Sequence, residues 1–199
     1  MKVVLVDSGG ANIGSVRYAL ERLGVSAPMT ADAETILGAD RVILPGVGAA
    51  APAMARLHQM NLVELLRGLK QPVLGICLGM QLLFDGSEEG DVECLGLVPG
   101  RVRRMPASPG VRVPHMGWNR LRPTRPDPLL ADVADGAQAY FVHGYAAPVT
   151  GDCLARCEHG EPFAAMVRRG NVAGAQFHPE RSGAVGARLL QNFLQAPPA

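Results

Sequence analysis

A three-layer α/β fold, with a largely parallel central sheet and antiparallel additions in its second half, is predicted by two observations. Up to Glu89, short β-branched runs alternate with amphipathic runs of helical period, the pattern of a parallel sheet covered on both faces. After Glu89 the signal changes to short alternating strands separated by proline-rich turns.

The elements follow in order. Residues 2–7 read as the first strand. Asn12 is placed to cap a helix whose apolar positions Ile13, Val16, Ala19, Leu20 and Leu23 keep helical spacing, and Gly24 closes it. A short strand is expected near residues 25–29, then a brief helix capped by Asp32 and a strand over 41–44. Met54, Leu57, Leu65, Leu66 and Leu69 mark one stripe of a single longer helix, and residues 72–76 form a buried central strand. Residues 80–84 read as helical. Strands are expected over 101–105, 118–121, 163–168 and 171–177. Val185, Leu189, Leu190, Phe193 and Leu194 make a last helix that ends before Pro197 and Pro198.

Composition bounds the function. With 199 residues and 48% hydrophobic content, the chain is expected to form one domain over 1–199. Nineteen basic and 18 acidic residues give a net charge of +1, and no basic run reaches five, so neither nucleic acid nor a membrane surface is an expected partner. The apolar run at the N-terminus stops at Asp7, too short for a signal-peptide core, which makes the cytoplasm the expected location. Four cysteines, Cys77, Cys94, Cys153 and Cys157, fit a reduced protein better than a disulfide scaffold.

Gly75-Ile76-Cys77-Leu78-Gly79 lies between an apolar strand and a helical run, the setting of a nucleophile elbow. The turn is so sharp that the residues two before and two after the nucleophile approach each other, and glycine avoids a Cβ clash there. An inert core thiol would not require both glycines. A helix N-terminus favours a thiolate by only about 1 kcal/mol, so an imidazole is needed nearby. Gln176-Phe177-His178-Pro179-Glu180 supplies one at the end of a strand. Proline keeps the residue before it extended, so His178 and Glu180 project to the same side and the carboxylate can hold one ring nitrogen. The plainer alternative makes His178 a surface residue and Ser182 the cap of the last helix. A third segment, Pro45-Gly46-Val47-Gly48, follows another strand and offers backbone N–H groups to a ligand oxygen, with Leu78 as the second donor. It also reads as an ordinary strand-to-helix turn.

Two further patterns carry less. Gly9-Gly10-Ala11-Asn12-Ile13-Gly14 fails the dinucleotide fingerprint because Ala11 stands where the second glycine is needed. Cys153, Cys157 and His159 can share a strand face, but no second ligand pair lies at zinc spacing, so no metal and no cofactor is expected.

Together the three glycine, cysteine and histidine segments resemble the class I (triad) glutamine amidotransferases, in the same order and over essentially the whole chain. The resemblance implies a flavodoxin-like three-layer fold. It also implies Cys77 as nucleophile, His178 as general base and acid, and Glu180 as the residue orienting it. By the same carry-over Gly46, Val47, Gly48 and Leu78 surround the oxyanion, while Gln81, Glu89, His143, Gly144 and Tyr145 hold the rest of L-glutamine. Pro114-His115-Met116-Gly117-Trp118-Asn119, Tyr140-Phe141-Val142-His143-Gly144-Tyr145 and the segment from Asp7 to Asn12 resemble one branch, the glutaminase subunit of imidazole glycerol phosphate synthase. That branch implies a cyclase partner, a (β/α)8 barrel, met by Met116, Trp118, Asn119, Tyr140 and Arg181 in a heterodimer of histidine biosynthesis. Ser8, Ala11, Gly144 and Arg181 depart from the usual Tyr, Gly, Ser or Thr, and Lys. Other readings are a glutaminase for another synthase, a silent regulatory module and a cysteine hydrolase of related fold. The Trp118 segment speaks against the first, the complete Cys, His and Glu set against the second, and Gln81 against the third.

Overall fold

The computed structural model describes residues 1–8 and 13–196; the calls on Gly9, Gly10, Ala11, Asn12, Pro197 and Pro198 lie outside the described residues. The chain opens with β1 (Val3–Val6), α1 (Ile13–Arg22), β2 (Met29–Thr30), α2 (Ala33–Leu37) and β3 (Arg41–Gly46). Next come α3 (Ala50–Gln59), α4 (Val63–Gly68), β4 (Val73–Cys77) and α5 (Leu78–Gln81). The second half supplies β5 (Phe84–Ser87), β6 (Val92–Glu93), β7 (Val98–Arg104), β8 (His115–Arg120) and β9 (Arg122–Pro123). It closes with β10 (Gln138–His143), β11 (Tyr145–Ala146), β12 (Cys153–His159), β13 (Glu161–Arg169), β14 (Val172–Ala175) and α6 (Gly183–Gln195).

Five strands run parallel in the order β2-β1-β3-β4-β14, the flavodoxin-like arrangement, and β13, β12 and β9 extend the same sheet antiparallel. Alternation along β1 shows how three layers arise. Val3 and Leu5 join the buried cluster that includes Val16 and Leu20 of α1 and Leu189 and Phe193 of α6. Val4 and Val6 join the opposite cluster, with Ile36 of α2, Met54 and Leu57 of α3 and Leu66 of α4. Asp32 caps α2 as its sequence implies, its carboxylate accepting the Thr35 N–H at 2.8 Å. Among the described residues no helix is long and apolar enough to cross a membrane.

Four expectations are corrected. The single helix through 54–69 is two helices, because Asn61 adopts φ 56° and the Leu62 N–H turns back to the Leu57 carbonyl at 2.9 Å. That 6→1 bond, with Asn61 N–H on the His58 carbonyl, is a Schellman stop, which asparagine tolerates almost as glycine does. The helix expected over 80–84 is the single turn of α5, and Phe84 already pairs with Val98 in a strand. A run of five residues with one polar position, Gln81, has no period to tell helix from strand. The short strand expected over 25–29 is displaced to Met29–Thr30. Lastly, among the described residues β7 and β8 do not join the main sheet: β8 pairs with β10, and β7 sits in a sheet ordered β11-β7-β5-β6.

Candidate active site

Parallel α/β sheets gather ligands beyond the carboxyl ends of their strands. Here β4 ends on Cys77, β3 leads into Val47 and Gly48, and β14 leads to His178. Cys77 sits at φ 54°, ψ −113°, a backbone conformation unfavourable for any side chain and enforced by packing around it. A Cβ on Gly75 would lie 2.6 Å from the Gly79 carbonyl oxygen, as the elbow reading requires. The demand on Gly79 comes from elsewhere, since a Cβ there would overlap the Leu44 carbonyl of β3. Gly46 completes the contact from the other side, where a Cβ would come within 2.6 Å of the Gly79 nitrogen. Gly46 therefore permits the approach of α5 and does not itself line the cleft, contrary to its expected place beside the ligand oxygen.

His178 is extended, at φ −95°, ψ 100°, ahead of Pro179, and its N–H donates to the Tyr140 carbonyl at 3.0 Å. Ser182 occupies the position before α6 but makes no side-chain cap. Its hydroxyl donates to the His178 carbonyl at 2.7 Å and accepts the Tyr140 N–H at 2.9 Å, tying the histidine segment to β10. The Nδ1–H of His178 donates to Glu180 Oε1 at 2.9 Å, and the same imidazole lines one cleft with Cys77. Glu180 Oε2 is buried without a hydrogen-bond partner among the described residues. Burial works against a charge on His178, but the nearby Cys77 sulfur and the hydrogen-bonded Glu180 carboxylate outweigh it and raise the imidazole to about 10.

The sulfur opens into a cleft of about 270 Å³. Val47, Gly48, Leu78, Gln81, Glu89, His143, Gly144 and Tyr145 all line it, so the structure brings together every expected ligand-facing residue except Gly46. Leu78 is the first residue of α5, where the N–H has no helical partner, and faces the turn in which Gly48 takes φ 92°. Ser8 supports that turn from behind, its buried hydroxyl donating to the Pro45 carbonyl at 2.7 Å. Glu89 accepts the Ala50 N–H at 3.0 Å, which fixes its carboxylate at the start of α3. Both amide hydrogens of Gln81 are engaged, by the Tyr145 carbonyl and by Gln176 Oε1, each at 2.9 Å, leaving its oxygen for a ligand. A Cβ on Gly144 would meet nothing closer than 3.8 Å, so its lack of a side chain is not forced by space.

Sequence reasoning missed two residues here. Val142 lines the cleft, and Gln176, fully buried, points its Nε2 at Cys77 Sγ from 3.8 Å. The signal for Gln176 was available: it lies two residues before His178 in the run expected as a strand, where alternate residues share a side.

Beside the mouth of the cleft, β8 and β10 present a partly aromatic face. Trp118 and Met116 are 55% and 64% exposed, Trp118 packs edge-on against Tyr140 at 5.8 Å, and the Arg181 guanidinium lies 4.6 Å from the Tyr140 ring centre. Asn119 points the other way, toward His115 and the Glu158 carbonyl. The remaining thiols are buried in the hydrophobic clusters, and burial pushes Cys94 and Cys153 up to about 11 and Cys157 to about 12. No group of three or more His, Cys, Asp or Glu able to hold a metal ion occurs among the described residues.

Comparison with known proteins agrees with this geometry. The family described as glutamine amidotransferase class-I matches residues 4–196. The chain is 62% identical over 194 residues to the imidazole glycerol phosphate synthase subunit HisH of Xylella fastidiosa, covering 98% of this chain and 97% of the relative. It is 64% identical over 193 residues to the protein of that name in Xanthomonas euvesicatoria, covering 97% and 96%. Two solved structures share the fold: a glutamine amidotransferase at TM-score 0.75 and 22% identity, covering 98% of each chain, and one from Thermotoga maritima at 0.61 and 18%, covering 98% and 81%.

Proposed function

Because the chain belongs to the class-I glutamine amidotransferase family, we propose that Cys77, His178 and Glu180 act as a triad that hydrolyses L-glutamine and releases ammonia. One observation carries the reading: a cysteine on a strained elbow shares one cleft with an imidazole that a buried carboxylate holds at 2.9 Å. The sulfur attacks the carboxamide carbon, and the developing oxyanion is met by N–H groups of Leu78 and of the Val47–Gly48 turn. The His178 imidazolium gives its Nε2 proton to the departing nitrogen, which leaves as ammonia with a thioester on Cys77. Neutral His178 then takes a proton from water as the water attacks the thioester. Collapse releases glutamate and returns sulfur and imidazolium. Glu180 keeps one tautomer throughout and stabilises the charged ring. Gln81, Glu89 and the backbone from His143 to Tyr145 hold the amino-acid end of glutamine.

Its relatives are named as subunits of imidazole glycerol phosphate synthase, and the same role is proposed for this chain: the glutaminase subunit that feeds ammonia to a cyclase in L-histidine biosynthesis, in the cytoplasm. The partner is a (β/α)8 barrel docked on the face of Met116, Trp118, Tyr140 and Arg181, with Asn119 contributing through strand β8. That face adjoins the cleft, so ammonia passes into the partner without crossing bulk water. The test is the complex of this chain with the cyclase. Cys77→Ala should abolish glutamine-dependent formation of imidazole glycerol phosphate and leave formation from added ammonia intact; undiminished glutamine-dependent synthesis would refute the assignment.

A further inference from the structure

Behind the cleft wall, two further imidazoles face each other. Register places His115 of β8 opposite His143 of β10, with His115 Nδ1 and His143 Nε2 3.1 Å apart and both rings buried. Backbone groups at the two ends fix every proton between them. His143 Nδ1 lies 2.8 Å from the Tyr145 carbonyl, which can only accept, so Nδ1 carries the hydrogen and Nε2 of the neutral ring is an acceptor. His115 Nδ1 must then donate to it, which leaves His115 Nε2 to accept from Asn119 Nδ2 at 3.4 Å. The Asn119 amide is oriented independently, its Nδ2 donating to the Glu158 carbonyl at 2.9 Å and its Oδ1 accepting the Arg120 N–H at 2.7 Å. Phe141, Phe163 and His159 wall the pair off, with His159 stacked on His115 at 4.1 Å. Burial, and the mutual repulsion of neighbouring imidazoles, hold His115 down at about 3 and His143 at about 4, so both stay neutral.

The carbonyl at the end of this chain is not an ordinary one. Tyr145 O also receives the Gln81 amide, whose second hydrogen goes to Gln176, whose own amide faces the Cys77 sulfur. A shift of this carbonyl would move the cleft wall and the amide pair beside the nucleophile together.

We propose that His115 and His143 are positioning residues of the glutaminase reaction: a proton-ordered imidazole pair that fixes the Tyr145 carbonyl, and with it the wall on which glutamine binds. The proposal rests on the glutaminase reading above, and its test separates the two. Two substitutions at His143 distinguish hydrogen bonding from filling of space. Asparagine carries its amide nitrogen near the place of Nδ1 and keeps the bond to Tyr145, whereas glutamine, closer to histidine in size, carries it near Nε2 and loses that bond.

In the complex with the cyclase and with L-glutamine varied, His143→Gln should raise KM at least about threefold more than His143→Asn does, because only the asparagine keeps the bond to Tyr145. His115→Leu should raise KM on its own and add nothing in the His143→Gln background, since both act through one carbonyl. A parent-like KM in His143→Gln, equal impairment of the two His143 variants, or additive effects of the two positions would each overturn the positioning role. A parent complex that uses ammonia but not glutamine would instead overturn the glutaminase reading itself.

Discussion

His178 and His143 are both buried beside one cleft, yet one is held charged and the other neutral. Burial depresses both. His178 faces the Glu180 carboxylate and the Cys77 sulfur, which lift it to about 10, while His143 faces a carbonyl and a neutral imidazole and falls to about 4. The cation on His178 itself adds to the depression of His143. The contrast teaches that depth in the protein does not decide which histidine moves protons; the charge of its hydrogen-bond acceptor does. A ring held charged can donate to a leaving group. A ring held neutral with both nitrogens already engaged, as His143 is by His115 and the Tyr145 carbonyl, can only orient.

The comparison breaks most sharply at His178. His178→Asn should lower kcat for glutamine hydrolysis about 10⁴-fold, because the proton carrier is gone, and Glu180→Gln about 10²-fold, because only its orienter and counter-charge are gone. Steady-state kinetics of the assembled complex check both, and a parent-like rate in the His178 variant would pass the role of base to another group. A smaller effect is expected outside the cleft. Trp118→Ala should weaken association with the cyclase about tenfold or more, and the emission of Trp118, the only tryptophan, should shift when a tryptophan-free partner docks. An unchanged spectrum with parent-like association would remove Trp118 from the interface.

The smallest effect is on stability, and its sign differs between the two regions. Lowered values mean that His115 and His143 take up protons on unfolding, so their contribution is complete above about 6.5 and is lost as pH falls toward 4 and then 3. His178 is raised, so its contribution is complete below about 6.5 and is lost as pH climbs toward 10. Each proton changes the unfolding free energy by at most about 1.4 kcal/mol per pH unit. Urea titrations across pH should show His178→Asn flattening the alkaline limb alone and His143→Asn flattening the acid limb alone; the reverse assignment would contradict the charge states.

Much of the site was legible because it is local in sequence. Cys77 with its flanking glycines, and His178 two residues before Glu180, are short patterns whose geometry follows from one strand end each. The orientation of Asn119 was also accessible, since strand alternation turns it away from Trp118, but grouping both as interface residues passed over it. The imidazole pair was not legible, because 28 residues separate His115 from His143 and only the pairing of β8 with β10 joins them. In the fold, parallel strands announced themselves as apolar runs, whereas the break at Asn61 was hidden by an apolar stripe that continues across it. The sheet of β5, β6, β7 and β11 was lost for another reason: its shortest strands are two residues long and carry no period.

The most direct test of the account is where a glutamine-like chloroketone attaches. All four thiols are free, but only Cys77 lies in the cleft beside an imidazole, while burial holds Cys94, Cys153 and Cys157 protonated. Peptide mapping after reaction of the complex should find one label, on Cys77, with glutamine protecting against it and glutaminase activity lost in step. Labelling at Cys94, Cys153 or Cys157 in its place, or full glutaminase activity with Cys77 alkylated, would contradict the account.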